Sequence, residues 1–470
     1  MRLSPPLRFT ALLMCCTPLA CATVPPATAV SPAAAQAARA DASMQDILDK
    51  GPFPGMAVAV ARDGKLIYAR GFGVADRQSN APVLADTRFP IGSITKPLTC
   101  LSVLQQVDRG RIDLDSPISR YLPDLPAPSR DATARQLLTH SSGIPNYLEN
   151  KEFPYNKPTG LSRQDMLGFF AAKPLMFAPG TQFSYSNSNT YLLGLLLEAV
   201  TGQSYDSYVA DHIFRPFGMT NSDFGARADR AKGYLTRGGS VRDGTAYDWL
   251  VPFSAGAIVS SAPDLVRFSN GLFGRQTSAD VRNLALSGDL LADGTPNAYR
   301  KGCLIAGTMQ GQRKYSHPGS IYGFSSHIAY YPDSRLTVVV LANGQGENFP
   351  AVTVEHRLAR IFLGLPEAGA EARPFDPAEA AWIAGPYAIT NRRLGFDRLH
   401  FVAKDDGLYL SYGGATSGAP LIPLQPLGNG RYASSIDPEQ QFRFARGADG
   451  AVSLILNYYD ADFPMRKAGG

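Results

Sequence analysis

Cysteine is scarce in this 470-residue chain, and most of it sits at one end. Of five cysteines, Cys15, Cys16 and Cys21 fall near the N-terminus, leaving Cys100 and Cys303 for the body. Two such residues make no disulfide framework, and no Cys/His spacing matches a metal site, so neither metal nor cofactor is expected. Cys100 lies in an apolar stretch, where the expected role is that of a small buried hydrophobe. No run of Lys or Arg occurs, and 45 basic against 40 acidic residues give only +5. Nucleic acid is therefore not an expected partner. Beyond the N-terminus no apolar stretch is long enough to cross a bilayer. What remains is an ordinary globular composition, long enough for two or three domains around a sizeable core.

Residues 1–29 read as an export signal. Met1-Arg2 through Arg8 is basic, Phe9 to Ala20 is a short apolar run, and Ala20-Cys21-Ala22 and Ala27-Thr28-Ala29 offer small-x-small cleavage sites. A periplasmic or secreted location follows. Cys21 after Leu19-Ala20 also fits a lipoprotein signal, although Pro18 stands where such signals usually carry leucine. A membrane tether through Cys21 is thus an alternative to plain secretion. Residues 30–42, part of a Pro/Ala-rich stretch, are expected to be a flexible tether, and Asp41 to Lys50 to form a short helix.

In the body, Met56–Ala61 and Leu66–Gly71 read as strands joined by the hairpin signal Arg62-Asp63-Gly64-Lys65. Leu98 to Val107 is apolar nearly all round at helical spacing, the mark of a buried helix. From Arg111 to about Gly302 helices and loops dominate. Strand character returns near Gly311, with Arg313–His317, Phe324–Tyr331 and Leu336–Leu341, followed by a helix to Leu363. Strands at both ends of residues 43–365 flank a helical middle. One antiparallel sheet closed by the first and last segments is the simplest packing, an α/β (α+β) class. Residues 366–380 read as a linker, and 381–470, with short strands and repeated Asp/Asn-Gly turns, as a small all-β, barrel-like domain.

The stretch around which the rest is organised is Gly92-Ser93-Ile94-Thr95-Lys96-Pro97. Ser93 and Lys96 are one helical turn apart and share a face. A serine hydroxyl becomes a useful nucleophile when a neighbouring base takes its proton, and a neutral lysine amine is such a base. The positive end of a helix dipole disfavours the ammonium form. Lys96 is the only lysine in the chain with a serine three positions earlier. Alone the pattern is weak, because a serine before a helix is more often an N-cap. The same holds for Asn187, and Tyr185 alone would be a packing tyrosine.

Ser93-Ile94-Thr95-Lys96, Tyr185-Ser186-Asn187 and His317-Pro318-Gly319, in that order, resemble the three motifs of the serine β-lactamase and penicillin-binding-protein superfamily. The Tyr-Ser-Asn form is similar to the branch holding class C β-lactamases, D-alanyl-D-alanine carboxypeptidases and esterases. Leu137–Gly143, Ala255–Ser261 and Gly323-Phe324-Ser325 resemble framing stretches of that branch. The resemblance implies that Ser93 is acylated, that Lys96 and Tyr185 share the general base and acid work in an unsettled division, and that Asn187 binds Lys96 or the substrate amide. It implies an oxyanion hole from the backbone N–H groups of Ser93 and Ser320. His317, Gly319, Ser320 and Tyr322 would line the substrate site. The branch's β-lactamases carry lysine where His317 stands, so a carboxypeptidase or esterase is expected over an efficient β-lactamase. A non-catalytic module that binds penicillin or cell-wall peptides is the rival reading. A histidine meeting a substrate carboxylate would lose its charge as pH rises through about 6.5. All three motifs precede the linker, so the β-domain is expected to be separable from the chemistry.

Overall fold

The structure is a computed structural model. It describes residues 31–468, except 52, 155–159, 226–228, 238–239, 245–250, 347–350, 367–370, 390–391, 394–397, 413–420 and 459. The export signal and Cys21 lie outside the described residues.

The first described element is a helix, α1 (Pro32–Lys50), capped by Ser31, whose hydroxyl accepts from the Ala34 N–H at 3.2 Å. Residues 32–42, read from sequence as part of a flexible tether, are thus helical. Alanine is the best helix former, and Pro32 at the first helical position fits the start. The helix is held down by Ala40, Met44 and Ile47, all buried against the sheet.

Strands β1 (Gly55–Arg62) and β2 (Lys65–Asp76) form the expected hairpin. Its turn residues Asp63 and Gly64 have φ of 52° and 76°, the left-handed pair a tight hairpin demands. Short β3 (Ala81–Pro82) follows, then helix α2 (Thr95–Asp108). The helical middle contains two-residue β4 (Phe183–Ser184), helix α3 (Asn187–Thr201) and helix α4 (Ala262–Phe273). The chain then returns to the sheet as β5 (Tyr299–Arg300), β6 (Leu304–Met309), β7 (Gln312–Ile321), β8 (Phe324–Tyr331) and β9 (Leu336–Ala342), and closes with helix α5 (Ala351–Leu363). The sheet order is β5-β6-β7-β8-β9-β1-β2-β3, antiparallel throughout. The expected closure is present: β1 pairs with β9, from Met56 opposite Ala342 to Arg62 opposite Leu336.

Both faces of this sheet are covered, which explains why β1 and β9 read as continuous apolar runs. Met56, Val58, Val60, Val338 and Val340 pack on α1 and α5. Ala57, Ala59, Val339 and Leu341 face α4 and the helical region. Each fully buried aliphatic side chain contributes about 1.5–3 kcal/mol.

Strands β5 and β6 are additions to the sequence reading. β5 is only two residues long, and the apolar signal of β6 is broken by Gly307, where a Cβ would lie 2.1 Å from the Asp460 carbonyl oxygen. Cys100 of α2 is buried as expected, but it is not a plain hydrophobe: it forms a disulfide with Cys303, at the β5–β6 turn, with Cα atoms 5.9 Å apart. Sequence spacing could not reveal a pairing that only the sheet creates.

After the catalytic-size domain, helix α6 (Pro377–Ile383) begins inside the stretch read as linker, capped by Asp376. Then come β10 (Gly385–Ile389), β11 (Arg392–Arg393), β12 (Arg398–Lys404), β13 (Gly407–Ser411), β14 (Ile422–Gly428), β15 (Arg431–Ser434), β16 (Gln441–Arg446), β17 (Val452–Tyr458) and β18 (Ala461–Lys467). All but β11 form a closed eight-stranded barrel. Ala380 and Ile383 of α6 sit in its core.

The barrel is not a detached appendage. Lys314 of β7 lies 2.5 Å from both Glu355 Oε2 of α5 and Asp460 Oδ2 of the β17–β18 turn. His356 Nε2 meets Asp460 Oδ2 and its Nδ1 meets Asp437 Oδ2, each at 3.0 Å. Arg360 pairs with Glu439 at 2.8 Å. All of these residues are buried. Glu355, His356 and Asp460 are the kind of trio that binds metal ions. Here the Lys314 ammonium already stands among their carboxylates.

Candidate active site

Ser93 lies in a 3-10 turn, Gly92–Ile94, that runs directly into α2. The turn is pressed onto β7 backbone to backbone. Gly92 has φ of 51°, and a Cβ there would sit 3.0 Å from both Ser320 N and Ser320 O. A Cβ on Gly319 would sit 2.1 Å from Ser326 Oγ and 2.2 Å from Ile91 O. Ser326 Oγ also donates to Ile91 O at 2.8 Å. Two glycines thus let the residues 92–93 and 319–320 meet, the pair of positions from which two backbone N–H groups are expected to converge.

Lys96 is wholly buried. Its Nζ lies 3.0 Å from Ser93 Oγ, 2.8 Å from Asn187 Oδ1 and 2.8 Å from the Ala255 carbonyl oxygen. Burial holds the Lys96 pKa well below the usual lysine value of 10.5. The helix dipole invoked from sequence is thus not needed. A neutral amine has two N–H bonds and one lone pair. Asn187 Oδ1 and Ala255 O can only accept, so they take the two N–H bonds. The lone pair is left for Ser93, whose hydroxyl is the one partner able to donate.

Asn187 opens α3 and is itself held. Its Nδ2 and its backbone N–H both lie 3.3 Å from Asn146 Oδ1, in the loop after Gly143. Tyr185, half-buried just before α3, places its ring centroid 4.9 Å from Lys96 Nζ. Behind it stands His140, at φ 53°, with ring centroids 4.7 Å from Tyr185 and 4.7 Å from Tyr299. His140 Nδ1 accepts from the Ser186 N–H and from Asn189 Nδ2, each at 3.2 Å. Burial holds the His140 pKa well below the usual histidine value.

His317 departs from expectation. Its ring is 1 % exposed. Nδ1 donates to the Pro318 carbonyl oxygen at 2.6 Å, and Nε2 then accepts from Tyr299 Oη at 2.8 Å. Burial is the chief cause that lowers its pKa to about 3. It is a neutral ring next to Tyr185, with centroids 6.2 Å apart, and has no proton to lose near pH 6.5. Pro318 fits the local edge: β6 pairs with β7 only up to Ser316, while β8 pairs to Ile321. Ser320 Oγ accepts from Gln345 Nε2 at 2.9 Å, and Tyr322 stands half-buried in the turn after β7.

The structure therefore brings Ser93, Lys96, Tyr185, Asn187, His317, Gly319 and Ser320 to one place. Sequence reasoning missed Tyr299, Asn146 and the Ala255 carbonyl. Ala255 lies in a framing stretch noted from sequence, but a backbone acceptor leaves no residue-type signal.

The model of the family described as Beta-lactamase matches residues 40–361. Protein flp of Staphylococcus aureus (strain MRSA252) is 28 % identical over 334 residues, covering 68 % of this chain and 65 % of that relative, just under two thirds of its length. In three dimensions the chain is similar to the octameric penicillin-binding protein homologue from Pyrococcus abyssi, at TM-score 0.63 and 23 % identity over 91 % of this chain and 99 % of that one. It is also similar to the D-amino acid amidase from Ochrobactrum anthropi SV3, at TM-score 0.61 and 21 % identity over 70 % and 99 %. At these identities the structures speak for the fold. The family model, laid over most of the chain and over all three motifs, shows that the protein belongs to the beta-lactamase family.

Proposed function

We propose that this protein is an exported serine hydrolase that works through an acyl-enzyme on an amide or ester carbonyl, either a D-amino-acid peptide or a small ester. The observation that carries the reading is the buried Lys96 amine, 3.0 Å from Ser93 Oγ, with its two other partners both obligate acceptors. As the Ser93 Oγ–C bond forms, the hydroxyl proton passes to Lys96 Nζ, directly or with Tyr185 as relay. The carbonyl oxygen takes negative charge in the niche where the Ser93 and Ser320 backbones meet, and N–H donors there would stabilise it. The leaving amine or alcohol takes the proton as the carbonyl re-forms. Water then repeats the sequence and frees Ser93.

The D-amino-acid preference draws on the amidase named above and on the neutral His317. With no cation at the third motif, the lactam carboxylate lacks the partner it meets in β-lactamases, so β-lactams are the weaker substrates. Export is supported by the signal-like N-terminus and by the Cys100–Cys303 disulfide, a bond favoured in oxidising compartments. The test is turnover of a p-nitrophenyl ester and a D-amino-acid p-nitroanilide by wild type and Ser93→Ala. Hydrolysis lost in Ser93→Ala supports the reading. Hydrolysis that survives the substitution removes it, and a wild type that binds such compounds without turnover favours the binding module.

A further inference from the structure

We propose that Ser254 is a positioning residue for the base: it ties the turn that carries the Ala255 carbonyl to both α2 and α3, and so fixes the acceptor that aims the Lys96 lone pair at Ser93. The proposal rests on the hydrolase reading for its kinetics, but its titration test does not depend on turnover.

Ala255 lies in a single helical turn, Phe253–Gly256. One turn cannot hold itself in water, so its place is set by what it packs on. Ser254 is wholly buried within it. The Ser254 hydroxyl donates to the Thr190 carbonyl oxygen of α3 at 2.8 Å. The Ser254 carbonyl oxygen accepts from Thr99 Oγ1 of α2 at 2.7 Å. Thr190 is three residues after Asn187, and Thr99 is three after Lys96. The two ties thus sit one helical turn behind the two side chains that meet at 2.8 Å over Lys96 Nζ.

The tie to α3 needs a gap in that helix. In an α-helix the Thr190 carbonyl faces the N–H of residue 194. That residue is Gly194, where a Cβ would lie 2.3 Å from Ser254 Oγ. Glycine inside a helix is otherwise a cost, and here it lets a second donor reach a helix carbonyl. Phe253 bears the same constraint. Its φ is 39°, a left-handed value that bulky residues rarely take. Its ring packs on Tyr191 and Tyr205, at centroid distances of 5.1 Å and 5.0 Å. Such a backbone persists where the surroundings over-determine it, and such residues gather at functional sites.

A neutral Lys96 has two N–H bonds, taken by Asn187 Oδ1 and Ala255 O. With Ala255 O out of place the amine rotates, and its lone pair is no longer confined to Ser93. Water entering beside it relieves the burial that holds its pKa down.

The test compares Ser254→Ala, Thr99→Val and Thr99→Ser in the full-length protein, with Ser102→Ala as control. Ser102 is a buried α2 hydroxyl that donates to Leu98 O in its own helix at 2.9 Å. In stopped-flow acylation by a p-nitrophenyl ester, Ser254→Ala and Thr99→Val should lower the saturating rate by about tenfold or more and leave the half-saturating concentration within about twofold. Thr99→Ser should recover most of the rate, and Ser102→Ala should keep it. Thr99→Val cuts the tie from the α2 side, so it carries the test should Ser254→Ala fail to fold. The second measurement is a titration by NMR of protein labelled with 13C at lysine Cε, with Lys96 assigned against Lys96→Ala. Both hydroxyl-loss variants should move the Lys96 titration up by about one pH unit or more, and the onset of acylation should move with it. Tyr185 lies against Lys96, and His140 and His317 lie behind Tyr185. Both histidines are held well below 6.5, and repeating the titration in a Tyr185→Phe background removes the phenol. A shifted Lys96 titration supports the assignment even if wild type proves not to hydrolyse. A titration that stays in place in both variants overturns it. So does a fall in acylation that Ser102→Ala matches, or one carried by half-saturation alone, which would make Ser254 merely structural.

Discussion

Lys96 decides the chemistry at the scale of single residues. Its burial would cost several kcal/mol as an ammonium ion, so the protein gains by holding it neutral. Lys96→Ala should slow acylation of Ser93 by two or more orders of magnitude, the usual reach of general base catalysis, as read by stopped-flow with an activated ester. The pH dependence follows from the sign. A base lowered from 10.5 must lose its proton to act, so kcat/KM should rise with pH to a plateau that begins below the usual lysine range. His317, lowered to about 3, should add no inflection between pH 5.5 and 8.5. A step near 6.5 that His317→Gln removes would contradict its enclosure by Tyr299 and Pro318. The sequence made Ser93 and Lys96 legible because their relation is local, one turn of helix. The state of His317 was not legible. It depends on Tyr299, in a two-residue strand too short to carry an alternating signal.

At the scale of elements, the site exists because a turn and a strand approach closer than side chains allow. Gly319→Ala would push a Cβ against Ile91 O at 2.2 Å, mostly backbone that cannot step aside. The expected result is a loss of about 1–3 kcal/mol by chemical denaturation, with acylation falling by far more than stability accounts for. Near wild-type acylation in Gly319→Ala would mean that the 92–93 and 319–320 contact does not build the site. The Cys100–Cys303 bond ties α2 to the β5–β6 turn across 203 residues of sequence. In a chain-entropy account a loop that long is worth up to about 5 kcal/mol, and Cys100→Ser should lower the thermal midpoint measurably. Strands β1, β2, β8 and β9 were readable because they are long, apolar and bounded by turn residues. The Asp41–Lys50 part of helix α1 was readable, but its N-terminal part was misread because its alanines were weighed as linker composition, although the same alanines, capped by Ser31, are strong helix formers.

For the whole molecule, the catalytic domain and the barrel share one buried ionic network and one two-residue strand pairing. Cutting the chain near Pro366 would leave Lys314, His356 and Arg360 without their barrel partners. Breaking such a pair on one side costs about 3–5 kcal/mol, so Lys314→Ala should destabilise the full chain by that order in urea unfolding. His356 is raised to about 10: burial opposes its charge, but Asp437 and Asp460 outweigh it. A folded-state value above the unfolded 6.5 means that this contribution is complete below pH 6.5 and fades as pH rises through about 10. A barrel after a linker was visible in the Gly-turn spacing, but its docking was not, since single buried charges in separate segments carry no periodic signal. The account as a whole stands on one covalent event. Intact-protein mass spectrometry after treatment with a fluorophosphonate should show a single adduct on the full chain. Peptide mapping should place it on Ser93, and Ser93→Ala should abolish it. An adduct on another residue, or one that persists in Ser93→Ala, would contradict the central claim.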